Sequence, residues 1–244
     1  MYFCDSLISE RPARYDNHGK LPVMPMTPLE FWTACSTNGI VLDKEQVDTL
    51  ERYHDELIYW NQRVNMISRK DEENVWERHI LHSLTLLKAV DIKQKARVLD
   101  VGTGGGLPGI PVKVARPDIK IVMVDSIRKK TTMTEMFAQH TALKDMTVIN
   151  TRAEDLALES QYRQAFDVVV SRAVARTSAV LSWVTNLVKP TGYCAFMKGG
   201  ELIDELAEAA EQHPRWTITE HPIRVFGQPW FEENDKKVIV CRQR

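Results

Sequence analysis

Two acids and a run of glycines are the residues whose types and spacing could do chemistry: Asp100, Gly102, Gly104, Gly105, Gly106 and Asp125. Glycine lets the backbone turn tightly and brings N–H groups near a ligand with no Cβ in the way. An acid about 20 residues past such a turn can accept hydrogen bonds from both hydroxyls of a ribose. Asp125 lies at that place, and it equally suits the cap of a helix starting near Ile127. Glycines so densely set cost conformational entropy, which an idle turn has no reason to lose.

The flanking elements must position this turn. Val98–Val101 reads as a short apolar strand and Ile119–Val124 as a second, while Pro108 and Pro111 suit the first turn of the helix between them. Further apolar runs follow at Thr147–Ile149, Phe166–Val170 and Tyr193–Met197. Helical stretches separate the strands, around Ile110–Ala115, Ile127–His140, Asp155–Tyr162, Thr177–Val188 and Glu201–Gln212. This alternation predicts an α/β fold, a doubly wound and mostly parallel sheet with helices on both faces. The tail breaks the rule. Trp216–Val225 and Val238–Cys241 are strand-like and joined by FGQPWFEEND without a helix, which predicts an antiparallel C-terminal hairpin at the sheet edge.

In such sheets ligands lie beyond the carboxyl ends of the strands, so each strand end is a candidate wall. The third offers Arg152, Ala153, Glu154 and Asp155, and the fourth Ser171, Arg172 and Ala173. An arginine directly beyond a buried strand calls for an anion to meet it.

Before the sheet, residues 29–94 read as a helical cap and 1–28, proline-rich and aperiodic, as a loose extension; 95–244 form the main domain. Asp43 and Gln46 are spaced for a capping box on a helix to Asn61, with Val47, Leu50, Tyr53, Leu57 and Trp60 on one face. A second helix begins near Asp71, with His79 and Ser83 on its buried stripe. The polar connector NQRVNMISRKD lies between them. At 43% hydrophobic, 27% charged and net charge −1, the 244 residues can bury a normal core, and any nucleic-acid partner needs a local basic patch. The four cysteines lack metal-ligand spacing and read as reduced thiols of a cytoplasmic protein. No apolar run reaches the ~18 residues of a membrane span, and no secretory signal opens the chain.

Gly104, Gly106 and Gly109 satisfy the dinucleotide pattern G-x-G-x-x-G, but the first strand already ends at Asp100–Gly102. Strand–D-x-G-x-G-x-G fits better and resembles the S-adenosylmethionine turn of class I methyltransferases. SRAV after the fourth strand is not the D/N/S-P-P-Y/F of exocyclic-amine methylation, and Cys194, inside the fifth, is no pyrimidine-C5 nucleophile. An acceptor with an in-plane lone pair is the simplest case left.

WNQRVNMIS, RHILHSL, LDVGTGGGLPGIP, VDS with RKK, TRAED and VVSRAVA, in this order, resemble the bacterial small-subunit (16S) ribosomal RNA guanine-N7 methyltransferases, the glucose-inhibited division protein B family. The resemblance runs from about Leu29 to the C-terminus. It implies a class I fold with an N-terminal helical cap, S-adenosylmethionine as donor with S-adenosylhomocysteine as product, and small-subunit RNA as partner. No metal and no membrane are implied. It puts donor contacts on Gly102, Leu107, Ala153, Glu154 and Arg172, with Asp125 at the ribose; Gly104 belongs to the same turn. No general base is expected. RNA contacts are expected from Arg78, His79, Arg128, Lys129 and Lys198, with Arg63, Arg69, Lys70 and Lys130 nearby. The family commonly has aspartate where this chain has His82, two positions off the buried stripe and so expected at the surface. Methylation of a protein or small molecule, or a non-catalytic nucleotide- or RNA-binding module, are the alternatives.

Overall fold

A computed structural model describes residues 25–244. Most of the expected 1–28 extension, Cys4 included, lies outside the described residues. Its end belongs to the ordered fold: Thr27 caps helix α1 (Pro28–Thr37) in a capping box with Glu30, and Met26 packs on the core. The signal was present in the sequence as T-P-L-E, a cap residue followed by proline and an acid at the third helical position.

Helix α2 (Lys44–Asn61) forms as its sequence dictates. The Gln46 N–H donates to Asp43 Oδ1 (2.8 Å) and the Asp43 N–H to Gln46 Oε1 (2.9 Å). Val47, Leu50, Tyr53 and Leu57 make its buried stripe. The next helical segment is not one regular helix. A 3₁₀ stretch (Arg69–Asn74) leads into a π turn (Trp76–Leu81) and then α3 (His82–Ala89).

Among the described residues seven strands form one sheet: β1 (Arg97–Val101), β2 (Lys120–Asp125), β3 (Met146–Asn150), β4 (Phe166–Arg172), β5 (Val188–Gly199), β6 (Trp216–Pro222) and β7 (Lys236–Gln243). Their order is β3-β2-β1-β4-β5-β7-β6, parallel through β5, with β7 antiparallel to both of its neighbours, β5 and β6. The crossovers are α4 (Gly109–Ala115), α5 (Arg128–His140), the single turn α6 (Ala153–Leu156), α7 (Thr177–Val184) and α8 (Ile203–Gln212). The strand order reverses between β1 and β4, which opens a crevice above their carboxyl ends.

The tail departs from expectation. Between β6 and β7 lies a short helix, α9 (Trp230–Glu233), whose Phe231 is fully buried. An aromatic pair inside a polar loop needs cover, and α9 finds it against α3. The same contact overturns the expected surface place of His82. Its ring is 5% exposed, with the Trp230 and Phe231 rings 5.8 and 5.7 Å away. A single buried stripe was the wrong premise because α3 is covered on two sides.

The helical segment and one sheet face share a core in which Phe31, Leu50, Leu57 and Ile80 join Val98, Ile121 and Val168. Leu57 sits at the seam. Its Cδ1 would meet a Cβ on Gly105 at 2.9 Å, so it packs directly under the glycine turn. Leu57→Ala should therefore lower unfolding stability by about 2–5 kcal/mol in urea denaturation, with the m-value unchanged.

Candidate functional site

The glycine turn has no side chains to hold it, so its backbone is held instead. Tyr53 of α2 donates its hydroxyl to the Gly105 carbonyl (2.8 Å) and Thr134 of α5 donates to the Gly104 carbonyl (2.7 Å). Asp100, at the end of β1, takes hydrogen bonds on Oδ2 from the Thr103 hydroxyl (2.7 Å) and the Gly109 N–H (2.9 Å). A Cβ on Gly109 would lie 2.6 Å from that oxygen, so only glycine fits. Gly102 is equally constrained, at φ +67° with Val174 Cγ2 2.5 Å from where a Cβ would stand.

Asp125 closes the turn from the side. Its Oδ2 accepts from the Gly104 N–H (3.0 Å) and its Oδ1 from the Ile127 N–H (2.9 Å). One carboxylate thus bridges the loops after β1 and β2; it is not the cap of α5, whose N-cap position falls on Ile127. A carboxylate offers about four lone-pair sites, which leaves acceptor capacity for ligand hydroxyls.

These groups line a cleft of about 790 Å³. Gly102, Gly104, Leu107, Asp125, Ala153, Glu154 and Arg172 all border it, so the structure brings together every residue expected at the donor. Arg172, at the end of β4, is half-buried and unusual. Its Nη1 donates to His79 Nδ1 (2.8 Å) and to the Arg78 carbonyl (3.4 Å). Among the described residues no carboxylate forms a salt bridge with it. Burial pushes its pKa down, opposed by Asp100 and Asp71 among others, yet a guanidinium stays protonated in proteins. Its two hydrogen-bond acceptors are thus both neutral.

The expected RNA contacts divide. Arg78 lines the cleft, paired with Asp71 (2.7 Å) and with its guanidinium 5.6 Å from the Trp230 ring centre. His79 lies beneath Arg172, not on the open surface. Lys198 borders the cleft but is committed to Glu205 (2.9 Å) and the Ala175 carbonyl. Arg128 and Lys129 are exposed at the start of α5, outside the cleft that the neighbouring Lys130 lines. Arg63, exposed, stacks over Tyr59 at 4.6 Å; Arg69 and Lys70 are exposed too. Asp71, Trp230 and Lys236 also line the cleft and were missed from sequence. The aromatic pair in FGQPWFEEND was a usable signal for Trp230; nothing local marked Lys236, whose Nζ lies 4.9 Å from the Trp230 ring centre. No group of three or more potential metal ligands occurs among the described residues, and no described helix is long and apolar enough to cross a membrane.

The strand order, the crevice at the reversal and the glycine turn define a class I methyltransferase fold. The ribosomal protein L11 methylase of Lactobacillus delbrueckii subsp. bulgaricus shares it, at a TM-score of 0.51 and 15% identity over 68% of this chain and 79% of that one. The family model described as GidB, rRNA small subunit methyltransferase G, matches residues 46–229, and the chain belongs to that family. Among its relatives is the ribosomal RNA small subunit methyltransferase G of Lachnoclostridium phytofermentans, 39% identical over 70% of this chain and 71% of the relative. The protein of the same name from Chlorobium luteolum is 36% identical over 86% and 87%.

Burial pushes the Asp100 carboxyl up to about 6, against the hydrogen bonds from Thr103 and Gly109 that lower it. The folded chain therefore holds this proton more tightly than the unfolded chain, whose value is near 3.9. Native stability from this group is present below about pH 4 and is lost as pH rises through about 6. In urea titrations without ligand, wild-type stability minus that of Asp100→Asn should fall across this window and level off above it.

Proposed function

We propose that this chain transfers a methyl group from S-adenosylmethionine to N7 of a guanine in the 16S RNA of the small ribosomal subunit, in the cytoplasm, leaving S-adenosylhomocysteine. The observation that carries the reading is Arg172, a guanidinium with neutral partners only, in a cleft that Asp125 also lines. These residues fit the donor at both ends. Arg172 would hold its carboxylate, the turn at Gly102, Gly104 and Leu107 its methionine portion, and Asp125 its ribose. Ala153 and Glu154 would meet the adenine edge. Membership of the family supports the acceptor.

When bound, S-adenosylmethionine supplies an electrophilic sulfonium methyl. Guanine N7 carries an in-plane lone pair at neutral pH, so no side chain has to remove a proton. The chain's work is orientation, which contributes on the order of 7–11 kcal/mol in well-aligned bimolecular reactions. Apolar lining by Met66, Leu107 and Val174 keeps water from the reacting atoms. Arg78, Lys130 and Lys236 give the cleft a positive lining suited to an RNA backbone, with Arg128, Lys129, Arg63, Arg69 and Lys70 outside it as further phosphate contacts.

Arg172→Met and Asp125→Ala should each weaken S-adenosylmethionine binding by about tenfold to a hundredfold in calorimetry. For the acceptor, N7-methylguanine mapped in small-subunit RNA should disappear at one position in cells lacking the gene. The intact gene should restore it and the Asp125→Ala gene should not. An unchanged methylation map would sink the proposal.

A further inference from the structure

We infer that His79 is a positioning residue that presents Arg172 with no carboxylate bonded to it, so that this guanidinium selects the amino-acid carboxylate of the donor. The inference rests on the donor reading above and adds to it a residue and a reason for its type.

The proton assignment follows from the partner. A guanidinium has only donors, so the nitrogen facing it, Nδ1 at 2.8 Å, must be bare and the ring proton must sit on Nε2. The second acceptor, the Arg78 carbonyl, is also neutral. A carboxylate in place of His79 would grip the guanidinium more strongly, through a charge-assisted bond, and would cancel the charge that an incoming anion needs. Asp71, an acid of the helical cap that lines the same cleft, is already occupied by Arg78 at 2.7 Å.

Both acceptors come from one irregular feature. The π turn Trp76–Leu81 contains Arg78 and His79, and the wide turn sets the carbonyl of the first and the ring of the second against the same guanidinium. The Ser83 hydroxyl donates to the His79 carbonyl (2.6 Å) and holds that turn to α3. The groups facing the ring keep it neutral. Besides burial, the charges of Arg172, Arg78 and Lys236 disfavour a charged imidazole, and its pKa falls to about 2. His82, itself buried and held far below its ordinary value, adds a second neutral ring beside Arg172 rather than a charge. His79 Nε2 is buried with no partner among the described residues, so the proton is placed for the sake of Nδ1.

The test compares two ligands that differ only in the part Arg172 would meet. S-adenosylhomocysteine carries the amino-acid group; 5′-methylthioadenosine has the same nucleoside and sulfur without it. Calorimetry would measure both on the wild type and on His79→Asn, His79→Asp and His79→Leu. Asparagine Oδ1 can stand in for Nδ1, so His79→Asn should bind S-adenosylhomocysteine within about threefold of wild type. His79→Asp, the same size but charged, and His79→Leu, with no acceptor, should bind it on the order of tenfold to a hundredfold more weakly. All four proteins should bind 5′-methylthioadenosine alike. His79→Asp binding S-adenosylhomocysteine as tightly as His79→Asn would overturn the inference, as would parallel loss of both ligands in every variant. A wild type that binds neither nucleoside would overturn the donor reading itself. Nitrogen NMR of the unmutated chain gives a measurement free of folding defects: His79 should show the Nε2–H tautomer and no titration between about pH 5 and 8. An Nδ1–H or cationic ring would refute the assignment.

Discussion

A turn made of glycines cannot be fixed by packing, and the way this one is fixed governs the rest of the molecule. Its carbonyls are taken by Tyr53 and Thr134, from two helices on the same side of the sheet. One of its N–H groups goes to Asp125 and the N–H that opens α4 goes to Asp100. Each such bond contributes only about 0.5–1.5 kcal/mol net, but leaving any of these buried groups unpaired would cost more. The helical cap is therefore part of the cleft: α2 holds the turn through Tyr53, while Met66, Asp71 and Arg78 line the cleft.

The cleft concentrates features that lower stability. Asp100 keeps a buried oxygen without a partner, Arg172 has no directly paired carboxylate among the described residues, and Ala173 directly after it sits at φ 53°, a conformation most residues avoid. Two large apolar clusters on opposite sheet faces offset this, with Leu99, Val169 and Phe196 in one and Val98, Val168 and Val170 in the other. Strand β4 belongs to both, alternating its side chains between them up to Val170, and Arg172 is where that alternation runs out into the cleft. The charge is held where a rigid strand ends, which is why it can be aimed.

What the sequence made legible follows the range of the forces involved. Local signals sufficed for α2, whose capping box and apolar period agree with the structure. They also sufficed for the strand–turn–strand unit ending at Asp125. The strand-end rule found Ala153, Glu154 and Arg172 because parallel strands must present their carboxyl ends together. Reading failed where two distant segments meet. His82 and Trp230 lie far apart in the chain, and neither one's period shows that each is the other's cover. The π turn was illegible for a related reason: a regular helical period was assumed across Asp71–Leu87, while tertiary contacts at Arg172 and Trp230 reward a local departure from it. The pairing of Lys198 with Glu205 was illegible too, because Glu205 comes from α8, across a turn that composition alone reads as solvated.

Strand β7 lies between β5 and β6 although it follows both in the chain. β6 precedes in the chain the strand it must pair with, so it has no partner until β7 inserts between it and β5. That same segment begins with Lys236 and is preceded by Trp230, so two residues that line the cleft are set in place by the insertion of β7. A chain whose glycine turn has already formed still lacks this wall of the cleft until the hairpin pairs, which ties completion of the cleft to closure of the sheet edge.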